Sequence, residues 1–303
     1  MSGDDDGCFI SVICPVYNDP EGIRETLTSV VDVDYPQDRF EVLVVDNGST
    51  DQTPIVIQSF ADSYPEIVSH IIEDEIQSSY AARNKGIKHA TGEVIAFIDA
   101  DMTVKQSWLK SIEDVLDSTT ADYIGCKTRI YTPESGPTIW SKYDLALGLP
   151  VEKYIEKDGF APTCSLIVRQ QVFDEVGNFD HRLVSGGDKE FGHRVRDAGF
   201  QMAYTDEIVL EHPARVSSTS WLKKAQRIGK GSMQLRRYHS DRYETPHPLH
   251  PIHYLPPSPF RLRDRFTNRV EVTIPEIILL FCIEYLLKLV QSYSRLDEMV
   301  CDE

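Results

Sequence analysis

Three short apolar runs constrain the fold of this chain more than any other feature. Phe9-Ile10-Ser11-Val12-Ile13-Cys14 is closed by Pro15, Phe40-Glu41-Val42-Leu43-Val44-Val45 stands alone, and Val94-Ile95-Ala96-Phe97-Ile98 follows Gly92. Each is short and nearly unbroken by polar residues, the pattern of a strand buried on both faces. Amphipathic segments at 20–31, 52–61, 78–90 and 107–116 lie between and after them, with a shorter strand at 67–72. Strands alternating with helices predict an α/β layer built on a mostly parallel sheet. Such sheets bind ligands beyond the carboxyl ends of their strands. Three polar loops fall there: Pro15-Val16-Tyr17-Asn18, Asp46-Asn47-Gly48-Ser49-Thr50-Asp51 and Asp99-Ala100-Asp101. That edge is the expected functional face.

Charge narrows the partners. The chain has 303 residues, 48 acidic against 31 basic, and a net charge of −17. Such an excess argues against a nucleic-acid binder, since a phosphate backbone calls for Lys and Arg. A dense carboxylate surface also suits solubility in high salt, hence a halophilic protein. The charge is uneven: residues 1–212 hold 38 acidic and 17 basic side chains, whereas residues 213–271 hold 4 and 12.

The second half reads less regularly. A strand is expected at 164–168, a short helix at 170–176, and a helix from Gly186-Gly187-Asp188 to about 198. A long basic helix is expected at 217–238, and six prolines between 245 and 259 predict an irregular connector. His247, His250 and His253 recur at intervals of three; along one edge of a polyproline helix they could bind a metal, and the favoured reading is exposed residues of that rigid connector. The run 274–290 is short for a membrane span. Glu276, Glu284, Lys288 and Gln291 share one helical face, so an interfacial or docked amphipathic helix is expected. Three regions follow: a catalytic domain at 8–215, a basic helix and Pro/His-rich connector at 216–271, and an apolar amphipathic helix at 272–295. The start, MSGDDDG, has no signal-peptide pattern, and six cysteines without a CxxC pair suit a reducing cytosol. Cys14 and Cys282, in apolar runs, read as small core residues.

Asp99 and Asp101 directly follow a buried strand, where two carboxylates are costly unless a cation meets them. A divalent ion held by one or two carboxylates and substrate phosphates would do so; a solvated turn is the plain alternative. Ala96–Thr103 also fits the DxDxT pattern of haloacid-dehalogenase-like phosphatases, with Asp99 as nucleophile. That reading expects a later GDxxxD for the metal, and Gly192 stands where its final Asp should be.

Ile13–Asn18, Val44–Asp51, Ala82-Arg83-Asn84-Lys85-Gly86, Phe97–Asp101, Gly177-Asn178-Phe179-Asp180 and Gly187-Asp188-Lys189-Glu190 are each weak motifs. In this order and spacing, over about residues 9–215, they resemble glycosyltransferase family 2, inverting GT-A-fold enzymes that use nucleotide sugars. The resemblance implies that Pro15, Tyr17, Asn18 and Asp46 hold the nucleoside, with Asp46 accepting a hydrogen bond from the base. Arg83 and Lys85 would lie near the donor, Arg83 on the diphosphate. Asp101, with Asp99, would bind Mn²⁺ or Mg²⁺, and His212 matches a histidine that some members add to the metal or diphosphate. A lone histidine is equally a satisfied core or surface residue.

Asp188 is the expected general base, because inversion needs a carboxylate on the acceptor side to take the hydroxyl proton. An ordinary N-cap aspartate is the alternative. The family pattern more often has an acidic residue where Gly187 stands. A base implies a hydroxyl acceptor, since an ionised phosphate needs none. The Gln-x-x-Arg-Trp motif of processive members is absent, which implies one sugar per cycle. The expected enzyme is a metal-dependent inverting hexosyltransferase at the cytoplasmic face of the cell membrane. Its donor would be a UDP-sugar rather than a GDP-sugar, and its acceptor a polyprenyl (dolichol)-linked saccharide in haloarchaeal glycan assembly. A non-catalytic nucleotide-sugar-binding scaffold is the rival from outside enzymology. Trp140, Tyr143 and Tyr154 could stack on sugars or fill a core.

Overall fold

The computed structural model describes residues 7–134, 136–267 and 269–300; the acidic start of the chain and Cys301 lie outside them. The first half runs β1 (Ile10–Val16), α1 (Pro20–Val31), β2 (Phe40–Asp46), α2 (Thr53–Ser63), β3 (Val68–Ile72), α3 (Ser79–His89), β4 (Val94–Phe97) and α4 (Trp108–Ser118). The second continues with β5 (Tyr123–Tyr131), α5 (Ile139–Leu147), α6 (Val151–Lys153), β6 (Leu166–Arg169), α7 (Gln170–Val176), α8 (Gly187–Asp197) and β7 (Met202–Pro213). It closes with α9 (Ser218–Tyr238), α10 (Pro259–Thr267) and α11 (Ile274–Val300).

Seven strands form one sheet in the order β3-β2-β1-β4-β6-β5-β7. The β3-β2-β1-β4 half is parallel, and β6 pairs antiparallel with both β4 and β5. Pro15 does not stop β1, which pairs with β2 through Val16. Its pairing with β4 ends at Ile13, and Ile13 C=O accepts there from Ile98 N–H. Hydrogen-bonding groups alternate sides along a strand, so the donor missing at Pro15 faces the side that β4 has already left.

β5 and β7 escaped the sequence reading. β5 is buried from Tyr123 to Cys126 and then emerges, and β7 carries exposed Asp206 and Glu207. Neither offers a continuous apolar run, because an antiparallel strand can leave one face in water.

Contacts divide the chain into two compact units. The first runs through Arg129, then Pro150–His181 and Gly187–His212, and holds the parallel sheet half. The second comprises Ile130–Leu149, Arg182–Gly186 and the chain from Pro213 onward. Its core gathers Tyr143, Trp221, Leu262, Phe266, Leu280, Ile283 and Leu287. Tyr143 sits edge-on to Trp221 at 4.7 Å and fills this core; Trp140 packs against it, and Tyr154 stacks on Phe160 at 5.0 Å.

α11 is a docked helix whose polar stripe points inward. Glu276 accepts from Lys142 Nζ at 2.6 Å, Glu284 from the Tyr143 hydroxyl, and Lys288 Nζ donates to Leu255 C=O at 2.7 Å. The outward face carries Ile278, Leu279, Leu286, Tyr293 and Val300, all exposed. Cys282 lies among them and is exposed, not a core residue as its apolar neighbours suggested; Cys14 is buried. Among the described residues no helix is long and apolar enough to cross a membrane. His247 and His250 are exposed, but His253 is buried, which pushes its pKa down. The connector therefore folds one of its three histidines inward.

α9 and α11 cross at Gly229, where a Cβ would run into Gln291 C=O and stand 2.8 Å from Ser294 Cβ. Helix propensity alone favours alanine over glycine by about 1 kcal/mol. Gly229→Ala is nevertheless expected to destabilise by about 1–3 kcal/mol through overpacking. A denaturation midpoint that rises instead would show that the crossing can yield.

Candidate active site

The loops at the carboxyl ends of β1, β2 and β3 are knitted together. Asn18 has φ 50°, a left-handed conformation that asparagine tolerates better than most residues. Its N–H donates to Ser49 Oγ at 2.9 Å and its Oδ1 accepts from Thr50 N–H at 2.8 Å. Asp46, the buried last residue of β2, accepts from Ser49 N–H at 3.0 Å. The Asn47 amide donates to Glu73 C=O and Ile76 C=O, both at 2.8 Å, and Gln77 Nε2 donates to Asn47 C=O at 2.9 Å. Tyr17 is half exposed beside this platform, and Pro15 lies within β1. Lys85 Nζ approaches Glu73 Oε2 at 3.9 Å.

The loop after β4 is held from two sides. Thr26 Oγ1, on α1, donates to Met102 C=O at 2.7 Å. A Cβ at Gly22 would come within 2.7 Å of Ala100 C=O, so α1 approaches the loop closely. Beyond it, Thr103 and Glu211 exchange both backbone hydrogen bonds at 3.0 and 2.9 Å. That bridge sets His212 against the loop, with Nε2 3.6 Å from Asp101 Oδ2.

Asp99 is already engaged. Arg83 Nη2 donates to its Oδ1 at 2.6 Å, while Arg83 Nη1 donates to Ser79 C=O at 3.3 Å. Arg83 is buried, and its Nε has no partner among the described residues. A buried, incompletely satisfied guanidinium is costly and suits an anion. Burial raises the pKa of Asp19 nearby, and the Asp101 charge adds to the rise. This corner is therefore rich in negative charge.

Asp101, Asp99 and His212 do not form a ready-made triad of ligands. Among the described residues no group of three or more His, Cys, Asp and Glu is placed to hold a metal. Asp101 and His212 do face each other, and a carboxylate with an imidazole is a donor pair that suits Mn²⁺ once phosphate oxygens complete the shell. The residues fit the group.

Asp188 occupies the first turn of α8, where its Oδ1 accepts from Lys189 N–H at 2.9 Å. Glu190, two residues on, is buried and gripped by Arg194 at 2.7 and 2.9 Å. α3 is fastened to the segment before α8 by Asn84, whose amide donates to Phe179 C=O at 2.8 Å and accepts from Phe179 N–H at 3.1 Å.

Residues 11–177 match Glycosyl transferase family 2. The chain belongs to that family. The phosphatase reading of Asp99 falls with this assignment. The family-2 chain is 39% identical over 227 residues to glycosyltransferase AglE of Haloferax volcanii, covering 75% of this chain and 74% of AglE. It is 25% identical over 241 residues to the dolichyl N-acetyl-alpha-D-glucosaminyl phosphate 3-beta-D-2,3-diacetamido-2,3-dideoxy-beta-D-glucuronosyltransferase of Methanococcus voltae, 76% and 75% of the two chains. Among solved structures, the mannosyltransferase PcManGT of Pyrobaculum calidifontis, in complex with GDP-Man and Mn²⁺, superposes with a TM-score of 0.67 at 20% identity. That match covers 98% of this chain and 88% of the other. Staphylococcus aureus TarS with UDP-GlcNAc gives 0.55 at 17% identity, over 95% and 88%. These likenesses show the GT-A fold. The chain is a glycosyltransferase.

Sequence reading missed Tyr80, Glu73, Gln77 and Asn47. Only Asn47 lay within a quoted motif. Gln77 and Glu73 sit on a polar loop with nothing to distinguish them, and Tyr80 reads as one more aromatic on a helix.

Proposed function

We propose that this glycosyltransferase moves a sugar, with inversion, from a nucleotide-sugar donor to a hydroxyl of a polyprenyl-linked glycan. The observation that carries the reading is the convergence on the loop after β4, where Arg83 of α3 pairs with Asp99 and His212 of β7 faces Asp101, with Asp188 at the head of α8 in the same unit. The Asn18–Asp46 platform would seat the nucleoside, and the proposed donor is a UDP-sugar. Arg83 would bind the diphosphate, and Asp101 with His212 would hold Mn²⁺ or Mg²⁺. A divalent ion there would supply positive charge toward the departing nucleoside diphosphate, where charge grows in the transition state. Asp188 would take the proton of the attacking hydroxyl. The lipid-linked acceptor is supported by the name of the Methanococcus voltae relative, and a place in haloarchaeal glycan assembly by AglE and the acidic composition.

Calorimetric titration with UDP and with GDP, in high KCl with and without Mn²⁺, tests the donor site. Metal-dependent binding of one nucleotide would support it. No binding of either would remove it.

We also propose that the second unit meets an anionic lipid surface through the outward face of α11, helped by the basic block at 213–271. Removing α11 would be a poor test, because Leu280, Ile283 and Leu287 belong to the core. Ile278→Glu together with Leu286→Glu changes exposed positions only. The pair is expected to abolish flotation with anionic vesicles while leaving the melting temperature within a few degrees. Equal flotation of wild type and variant would sink the idea.

A further inference from the structure

We infer that Tyr80 is the positioning residue for the Asp188 carboxylate, an inference that rests on the reading of Asp188 as the base. Tyr80 stands in the first turn of α3, 6% exposed, with its ring stacked on Phe179 at 5.7 Å. Its hydroxyl oxygen accepts from Gly187 N–H at 2.9 Å and from Asp188 N–H at 3.3 Å. These are backbone donors at a helix start, where no intrahelical acceptor exists. A phenol hydroxyl can accept and donate at once. While it accepts from the two N–H groups, it donates to Asp188 Oδ1, 3.5 Å away. Bonds of this kind are often long before substrate binds and tighten afterwards.

Gly187 makes the approach possible. A Cβ there would come within 2.7 Å of the Tyr80 ring, so an acidic side chain at 187 is incompatible with Tyr80 in this place. The departure from the family pattern at 187 is thus the counterpart of Tyr80. The same ring carries the Arg83 guanidinium at 5.8 Å from its centroid. Tyr80 therefore links the Arg83–Asp99 pair to the carboxylate that would act on the acceptor.

Other groups also act on Asp188 or stand close to it. Lys189 reaches it through backbone N–H, and Glu190 is held by Arg194. Tyr123, on β5, and Cys164 feel its charge, but burial pushes both of their pKa values up and keeps them neutral. A hydrogen bond to the ionised carboxylate stabilises that form and aims it.

The test follows the Asp188 carboxyl ¹³C signal against pH in the full chain, assigned by its loss in Asp188→Asn. Tyr80→Phe removes the donor and is expected to raise the titration midpoint by about half a pH unit or more. Replacing Tyr80 with 3-fluorotyrosine, a stronger donor of the same shape, is expected to lower it. A rise with Tyr80→Phe and a fall with 3-fluorotyrosine support the inference, and the reverse pair overturns it, because a merely structural tyrosine would not respond to donor strength in sign. A midpoint unchanged in both, or moved the same way by both, overturns it. Should Tyr80→Phe fail to fold, the fluorinated protein keeps the oxygen and still decides: a lowered midpoint supports the inference, and an unchanged or raised one overturns it. UDP and GDP titrations of the same proteins report on the donor site separately, so loss of nucleotide binding would sink that reading without clouding the Asp188 result.

Discussion

Asp188→Asn is expected to slow sugar transfer by about a hundredfold to ten-thousandfold, the usual contribution of a general base. Nucleotide binding should be unaffected. Asparagine keeps the shape of the side chain and an oxygen for Lys189 N–H, so the head of α8 should survive. What it lacks is a site for the acceptor proton. The measurement is single-turnover transfer to a lipid-linked saccharide, with calorimetry on the same sample. An unchanged rate with intact binding would mean that the nucleophile arrives already ionised, as a lipid phosphate does, and would remove Asp188 from catalysis. No transfer by wild type, with binding intact, would favour the non-catalytic scaffold.

Asp101→Ala is expected to cost about a hundredfold to a thousandfold in turnover, the scale of losing a preorganised electrostatic contact to the leaving group. Chelation of divalent ions from the wild-type protein should give a loss of the same size. The two treatments should not add, because they would remove one element. Asp99→Ala is expected to behave differently. It would release the Arg83 guanidinium from its carboxylate and leave a buried cation without compensation, so stability should fall along with activity. Full turnover after chelation would contradict the metal reading, and equal stability of Asp99→Ala would show that Arg83 finds another partner.

The parallel half of the fold was legible because β1, β2 and β4 are buried on both faces and so read as unbroken apolar runs. Asp46, Asp99 and Asp101 stood out by position, at or just beyond the ends of such strands, whereas Asp188 at the head of α8 was reached through the resemblance and the need for a base. Arg83 and Asp99 were both singled out, yet nothing in their spacing says that they bond to each other. Tyr80 was invisible, since its role depends on Gly187, more than a hundred residues away. α11 shows a different limit. Periodicity groups Glu276, Glu284 and Lys288 on one side but does not say which side meets water. Here the polar side finds partners within its own unit, and leucine and isoleucine are left outside. β5 and β7 were missed because half-solvated strands carry no strong pattern.

The Arg83–Asp99 pair also bears on how a donor could be captured in concentrated brine. At molar salt the screening length is about 3 Å, so a cationic pocket has almost no reach with which to draw in a dianion from solution. An ion pair at 2.6 Å lies inside that length and persists. An arriving diphosphate would then trade places with a carboxylate, and the departing one would be replaced by it. On the proposed reading, capture and release would become two directions of one exchange, with a strength set by the difference between two short contacts and little affected by any brine around them.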